Sequence, residues 1–347
     1  MYYRRCNPVH PRRGQSGAAL VIALMIFGLC AALIVAMKSE FELFYQRGSN
    51  SFLAEQSAAY LRGAEDLASL ALVVDHDIDS TRAPEVVRDD LTEIWAQPTT
   101  PYPLDDGGML QGNIEDLQGR FNLNNLSGEA ADGGDENSAI PRFTAEQAQF
   151  VRLLQTFDDP VLSQQEAIVV TESLRDWLDQ DNIPRPYGAE DDYYYGQTPA
   201  YRAANRDLVS VTELRAVANV TPDLYLALQP WVTVLPAGTK LNIHTAPAQV
   251  LRSLNADDDL TPLREEEAYA LVSLRQEVGF GNLADFLAQP SFVDKPHDKL
   301  ESVLGERSSY FLLSAVVEVA DRTTRLYSVL HRNERRVEAL ARSAGEL

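Results

Sequence analysis

Cysteine is almost missing from this chain. Its 347 residues hold two, Cys6 and Cys30, and none follows Cys30. The long remainder therefore has no internal disulfide and no thiol nucleophile. Positive charge is the second shortage. Lys and Arg number 30 against 51 Asp and Glu, for a net charge of −21. Four of the basic residues (Arg4, Arg5, Arg12, Arg13) crowd in front of Gly14. The surface beyond them repels nucleic acid and anionic lipid, and suits cations, basic partners or plain solubility. Metal-binding and nucleotide patterns are absent too. The five histidines (His10, His76, His244, His297, His331) form no H-x-x-x-H. There is no G-x-S-x-G, P-loop or G-x-G-x-x-G. No hydroxyl is paired by sequence with a base, and no internal repeat occurs. An enzyme reading has nothing to stand on.

What the chain does have is one long apolar run. Behind the basic leader "RRGQSG", Ala18 to Met37 are twenty uncharged, mostly apolar residues. As a helix they reach ~30 Å, the hydrocarbon thickness of a bilayer. A signal-peptide core is shorter, roughly 7–15 residues. "LIVAM" offers no A-x-A cleavage site, and Leu29 before Cys30 is too bulky for a lipoprotein signal. The segment is expected to stay in the protein, with the arginines on the cytoplasmic side and the bulk of the chain across the membrane. The helical pattern continues through Phe41, Phe44, Tyr45, Phe52, Ala59, Leu67, Leu70 and Val74. Ala18 to Val74 as one helix would span ~85 Å, with a possible kink at "RGSNS" (47–51).

Beyond the helix, "MLQGNIEDLQGRFNLNNL" (109–126) reads as a hairpin. Its strands lie around Leu110–Ile114 and Arg120–Leu123, and its turn near Gln118-Gly119. "SGEAADGGDENSA" (127–139) is polar, Gly-rich and expected to be flexible, as the border of an inserted region. From 140 to about 230 the pattern is helical, with Thr144 as an N-cap and Ser210-x-x-Glu213 as a capping box. "WVTVLPAGTKLNIHTAP" returns to strand character before Pro247 opens a helix. Two further helices flank Gly279 and Gly281. "SYFLLSAVVEVADRTTRLYSVLHRN" gives C-terminal strands around a turn at Asp321–Thr324. Helix, strands, helices, strands in that order argue for α+β with a helical insertion.

Two constellations invite a chemical reading. The helix–Gly–helix pieces in 241–289 have the outline of helix-hairpin-helix elements. Their turn "EVGFGN" sits among Glu265–Glu267 and Asp285, which excludes phosphate binding, so no nucleic-acid partner is expected. The loop "DWLDQDNIPRPYGAEDDYYYG" (176–196) places Asp179 and Asp181 before a Pro/Gly turn, and Glu190, Asp191 and Asp192 after it. Calcium takes six to eight hard oxygens from such flexible loops. It is no EF-hand, since Pro184 stands where that loop needs Gly. Read from its residues alone, the loop is either a calcium site or a solvated acidic turn.

A short basic leader ending in Gly before an apolar helix resembles a type IV pilin or pseudopilin, except that Ile22 stands where the fifth mature residue is commonly Glu. "DLQGRFNLNNL", "LRDWLDQDNIPRP", "GAEDDYY", "AYRAANRDLVSVTELRAV" and "LNIHTAPAQVL" together resemble the type II secretion system minor pseudopilin K family, over about 110–255. That family departs from other pseudopilins at the same glutamate. The resemblance implies a non-enzymatic α+β protein: a long pilin-type N-terminal helix packed on an antiparallel sheet, with a large all-α insertion that binds calcium. The expected segments are a leader (1–17), an assembly helix (18–74), the first part of the head (75–139), the insertion (140–300) and C-terminal strands (301–347). By position, Asp179, Asp181, Glu190 and Asp191 are the implied calcium ligands. Prepilin peptidase is implied to cut between Gly17 and Ala18. The other implied partners are the minor pseudopilins at a pseudopilus tip and the assembly platform of the bacterial inner membrane, with the head in the periplasm. The competing classes are a tethered calcium-binding domain with no assembly role and a tethered periplasmic hydrolase.

Overall fold

The computed structural model describes residues 17–83, 87–105, 107–128, 143–255, 259–293, 297–320 and 322–345. The leader up to residue 16 and most of the Gly-rich 127–139 stretch lie outside the described residues. The first helix, α1 (Ala18–Asp79), runs unbroken through "RGSNS" and five residues past the expected end. One glycine costs a helix about 1 kcal/mol, which the long flanking turns override. The chain divides into two compact units, residues 1–58 and 59–347. Within the first, the opening stretch of α1 is apolar and exposed, and long enough to cross a membrane.

In the second unit the rest of α1 packs on a sheet. Leu61, Ala64, Ala68 and Leu72 are buried at helical spacing on one face. The elements that follow are β1 (Tyr102–Pro103), β2 (Gly108–Asp116), β3 (Phe121–Asn122), α2 (Ala145–Leu154), α3 (Gln164–Leu178), α4 (Asp191–Tyr195), α5 (Pro222–Leu228), β4 (Val232–Thr233), β5 (Leu241–Asn242), α6 (Ala248–Leu251), α7 (Glu265–Glu277), α8 (Leu283–Leu287), α9 (Asp298–Val303), β6 (Leu304–Gly305), β7 (Tyr310–Val319), β8 (Arg322–Asn333) and β9 (Arg336–Ser343). The main sheet has the order β1-β2-β7-β8-β9 and is antiparallel throughout. Along β7, Phe311, Leu313, Ala315, Val317 and Val319 are buried and alternate with more open residues, the period-2 pattern of a strand with one covered face. The architecture is the expected α+β fold.

The expected hairpin at 109–126 does not form. Strand β2 pairs with β7 from Gly108↔Val319 to Asp116↔Phe311, and β3 pairs in parallel with β4. The reason lies in the polar residues, which are not the solvent side of a strand. They are buried pins. Gln118 Nε2 donates to the Lys240 and Arg307 carbonyls at 3.0 and 3.2 Å. Asn122 accepts from Leu235 N at 2.9 Å, and Asn124 accepts from Leu208 N at 2.8 Å. The C-terminal turn also differs. Strand β8 already starts at Arg322, and Ala320 ends the previous strand with φ 52°.

The inserted part has two cores. One draws on Phe121, Leu123, Phe150, Leu174, Trp177 and Tyr194, so it begins before residue 140. The other gathers Ile243, Leu251, Leu271, Phe280, Phe286 and Phe292. The insertion is mainly helical, with the parallel two-residue pairs β3–β4 and β5–β6 added. Capping boxes start α2 at Thr144 and Gln147, α3 at Ser163 and Glu166, and the 3-10 turn Val211–Ala216 at Ser210 and Glu213.

The insertion leaves the sheet after Asp116 and returns before Tyr310, and one buried hub closes that neck. Asp116 Oδ2 accepts from Thr245 Oγ1 at 2.5 Å, Ser308 Oγ at 2.6 Å and Asn242 Nδ2 at 3.1 Å, while Oδ1 takes Gln118 N at 2.8 Å. Asn242 Nδ2 also reaches the Asp89 carbonyl at 2.9 Å, and its Oδ1 accepts from His244 N at 2.9 Å.

His244 is 2% exposed and its Nε2 has no partner. Burial, helped by Arg88, pushes its pKa down to about 4. The unfolded chain, with a pKa near ~6.5, binds the proton first. Its contribution is thus fully present above about pH 6.5 and is lost as pH falls towards 4, a loss on the order of 3 kcal/mol. Urea melts across this range should show wild type losing stability relative to His244→Leu as the pH drops. Parallel curves would exclude the effect.

Candidate metal centre

The acidic loop hangs from the C-terminal turn of α3. Asp176 and Asp179 are three residues apart and so share a helix face. Asp176 is fully buried. Its Oδ2 accepts from Arg185 N at 3.1 Å, and its Oδ1 from Arg185 Nη1 at 2.6 Å. The same Nη1 also pairs with Asp179 Oδ2. The chain then turns through Pro184, Pro186 and Gly188. A Cβ on Gly188 would stand 1.9 Å from Asp176 Oδ2, so only glycine lets the backbone lie against that carboxylate. The turn delivers Glu190 to the start of α4, opposite Asp176 and Asp179.

Glu190 is the unusual group. It is 4% exposed, and neither carboxylate oxygen has a hydrogen-bond partner. A buried unpaired carboxylate is costly. Burial, then the charges of Asp176, Asp179, Asp181 and Asp191, push its pKa up to about 7. Burial likewise raises Asp176 above the usual carboxylate range. One oxygen each of Asp176, Asp179 and Glu190 lies within 4.8 Å of the others. This is an all-oxygen set from two converging segments, the donor chemistry of a hard cation such as calcium.

Of the four residues implied as ligands, Asp179 and Glu190 come together. Asp181 is exposed, and its Oδ1 accepts from Ile183 N at 2.7 Å. Asp191 Oδ1 accepts from Ala203 N at 3.1 Å, and its Oδ2 lies 3.8 Å from Arg202 Nε. Both are near enough for their charges to act on Glu190. Asp176 was not singled out from the sequence. Its signal was there, in the three-residue spacing to Asp179 and the glycine that later faces it. Asn205 lies against the loop at Asp181. It sits at φ 45°, donates to the Asp181 carbonyl at 2.7 Å, and leaves its own Oδ1 buried without a partner.

At the processing end, Gly17 is exposed and immediately precedes α1, accepting from Val21 N at 3.3 Å. Ala18 is the first helical residue.

Two family models, both described as type II secretion system protein K, match residues 119–237 and 241–307. The chain is 34% identical over 345 residues to type II secretion system protein K of Pseudomonas aeruginosa, covering 96% of this chain and 94% of that one. The protein of the same description from Aeromonas hydrophila is 34% identical over 327 residues, covering 93% and 94%. A crystal structure of the GspK-GspI-GspJ complex from the enterotoxigenic Escherichia coli type 2 secretion system contains a chain of the same fold. It has a TM-score of 0.71 and 25% identity, covering 87% of this chain and all of that one.

The close approach at Gly188 gives a direct test. Gly188→Ala should destabilise the head by about 2–4 kcal/mol through overpacking against Asp176. Urea denaturation reads this, and an unchanged midpoint would mean the loop is not held against α3.

Proposed function

The chain belongs to the type II secretion system protein K family, and from that premise we propose that it caps the tip of the periplasmic pseudopilus and supports export of folded proteins. It is a minor pseudopilin, a structural component and not an enzyme. The tethered hydrolase is thereby set aside.

The observation that carries the tip assignment is the insertion. It fills the stretch between two adjacent strands, β2 and β7, with two cored lobes. Such bulk obstructs stacking between identical neighbours and is accommodated where nothing lies above. Ile22 adds to this reading. In a bundle of apolar helices an unpaired terminal amine costs several kcal/mol, and a subunit with no carboxylate at that depth cannot offset the amine of a neighbour. The partners are other minor pseudopilins, meeting the outer face of α1. On that face Leu67 and Leu70 are 63% and 57% exposed. Beside it runs an apolar groove of about 620 Å³ that includes Ala71, Trp95 and Tyr102. Prepilin peptidase cuts between Gly17 and Ala18, the apolar part of α1 spans the inner membrane with its N-terminus cytoplasmic, and the assembly platform takes up the processed subunit.

Single cysteines at Leu67 and Leu70, cross-linked in cells, test the assembly. Contacts to other minor pseudopilins at low fixed stoichiometry are expected, from a protein whose mature terminus is Ala18 by mass spectrometry. A ladder of self-cross-links would exclude the tip.

The loop at the end of α3 is the calcium centre of this reading. Its support is the orphaned Glu190 carboxylate facing Asp176 and Asp179. These three hold the ion, with Asp181 and Asp191 close by, and calcium supplies charge beyond that of Arg185 and the nearby Arg175. Binding to the folded state adds about 2.7 kcal/mol at a hundredfold excess over Kd. Chelator should lower the melting temperature of the wild type and not that of Asp179→Ala with Glu190→Ala. A melt indifferent to chelator would refute the assignment.

A further inference from the structure

We propose that the head carries a separate site for a hard divalent cation of the calcium class, formed by Asp75, Asp79, Asp89 and Glu93 where the end of α1 meets β8. Nothing in it depends on the loop of α3.

Asp75, Asp79 and Asp89 are buried, and one carboxylate oxygen from each lies within 4.8 Å of the others. Glu93 is 8% exposed. Its Oε2 accepts from Trp95 Nε1 at 2.8 Å and Asp90 N at 3.1 Å, but its Oε1 is buried with no hydrogen-bond partner. That oxygen makes a 3.9 Å ion pair with Arg82 Nη1, the nitrogen that donates to Asp79 Oδ1 at 3.0 Å, and the charges of Asp75 and Asp89 both act on Glu93, which sets it beside the three aspartates.

Two guanidiniums touch these four carboxylates. Arg332 donates to Asp75 Oδ2 at 2.9 Å and to Asp89 Oδ1, and Arg82 reaches Asp79. Arg307 acts on Asp79 from further away. In the contact shell the deficit is two positive charges, which is the charge of one divalent ion. The donors are all oxygen and come from α1 and the segment after it, which suits calcium over zinc or copper. A bound ion would fasten the last turn of the assembly helix to the strand that carries Arg332.

The full-length chain in detergent micelles serves for the test, with Asp179→Asn and Glu190→Gln introduced to silence the α3 loop. Terbium is the optical stand-in for calcium. Trp95, hydrogen-bonded to Glu93, is the built-in donor for sensitised emission. The loop-silenced chain should bind one terbium, displaced by calcium. Adding Trp95→Phe should remove most of the emission without removing calcium uptake. Adding Asp79→Asn and Glu93→Gln should weaken binding at least about tenfold. No binding by the loop-silenced chain at millimolar calcium, or emission indifferent to Trp95→Phe, would overturn the proposal. Should the acidic-pair variant fail to fold, the Trp95→Phe comparison decides. Equal stoichiometry before and after silencing the loop counts against the α3 centre instead, so the two failures are distinct.

Discussion

Everything beyond the first helix depends on a buried carboxylate, Asp116. It ends β2 at the point where the chain leaves the sheet, and its four hydrogen bonds tie together Gln118, Asn242, Thr245 and Ser308. These residues lie just after the outgoing strand, in the middle of the insertion and just before the returning strand. Burial still holds the Asp116 carboxyl up to about 6 against those bonds, and one missing partner would leave a group more expensive to hide. The hub therefore locks the relation of insertion to sheet as a unit. Gln118, which reaches Lys240, Arg307 and Ser309, extends the same lock around the neck.

The chain's acidity takes two forms. Many carboxylates are solvated, as composition suggests. A smaller set is buried in groups around one or two arginines: Asp176 and Asp179 at Arg185, and Asp75 and Asp89 at Arg332. Each group includes one glutamate with an orphaned oxygen, Glu190 or Glu93. Sequence-wide charge could not separate the two forms, because burial is decided by elements far apart in the chain.

That distance also marks what could be read from the residues. The assembly helix, the caps at Thr144 and Ser210, the helices around Gly279 and the C-terminal strands all rest on local patterns, and they appear in the structure. The hairpin at 109–126 was misread. A polar residue that pins a distant backbone looks the same in sequence as one facing water, and the partners of Asn122 and Asn124 lie over eighty residues away. Helix α1 outran its expected end for the same reason, since the aspartates of "DHDID" extend no apolar stripe and meet Arg332 and Arg82 only in the fold. In the acidic loop the meeting of Asp179 and Glu190 was legible, and Asp176 was hidden inside a helix whose other polar residues drew no attention.

The adjacency of β2 and β7 has a consequence in time as well as in space. These neighbours are joined by a chain of about 200 residues, and closing such a loop costs only about 0.6 kcal/mol more than closing one half as long. Closure is nevertheless slow when contacts are this remote. The insertion has its own cores, so it can condense first and bring Asp116 and Phe311 together as a preformed bracket. The sheet can be completed only after β7 and β8 have been synthesised. The apolar start of α1, by contrast, is made first. The face of α1 that carries Leu61, Ala64, Ala68 and Leu72 thus waits uncovered until the last eighth of the polypeptide arrives.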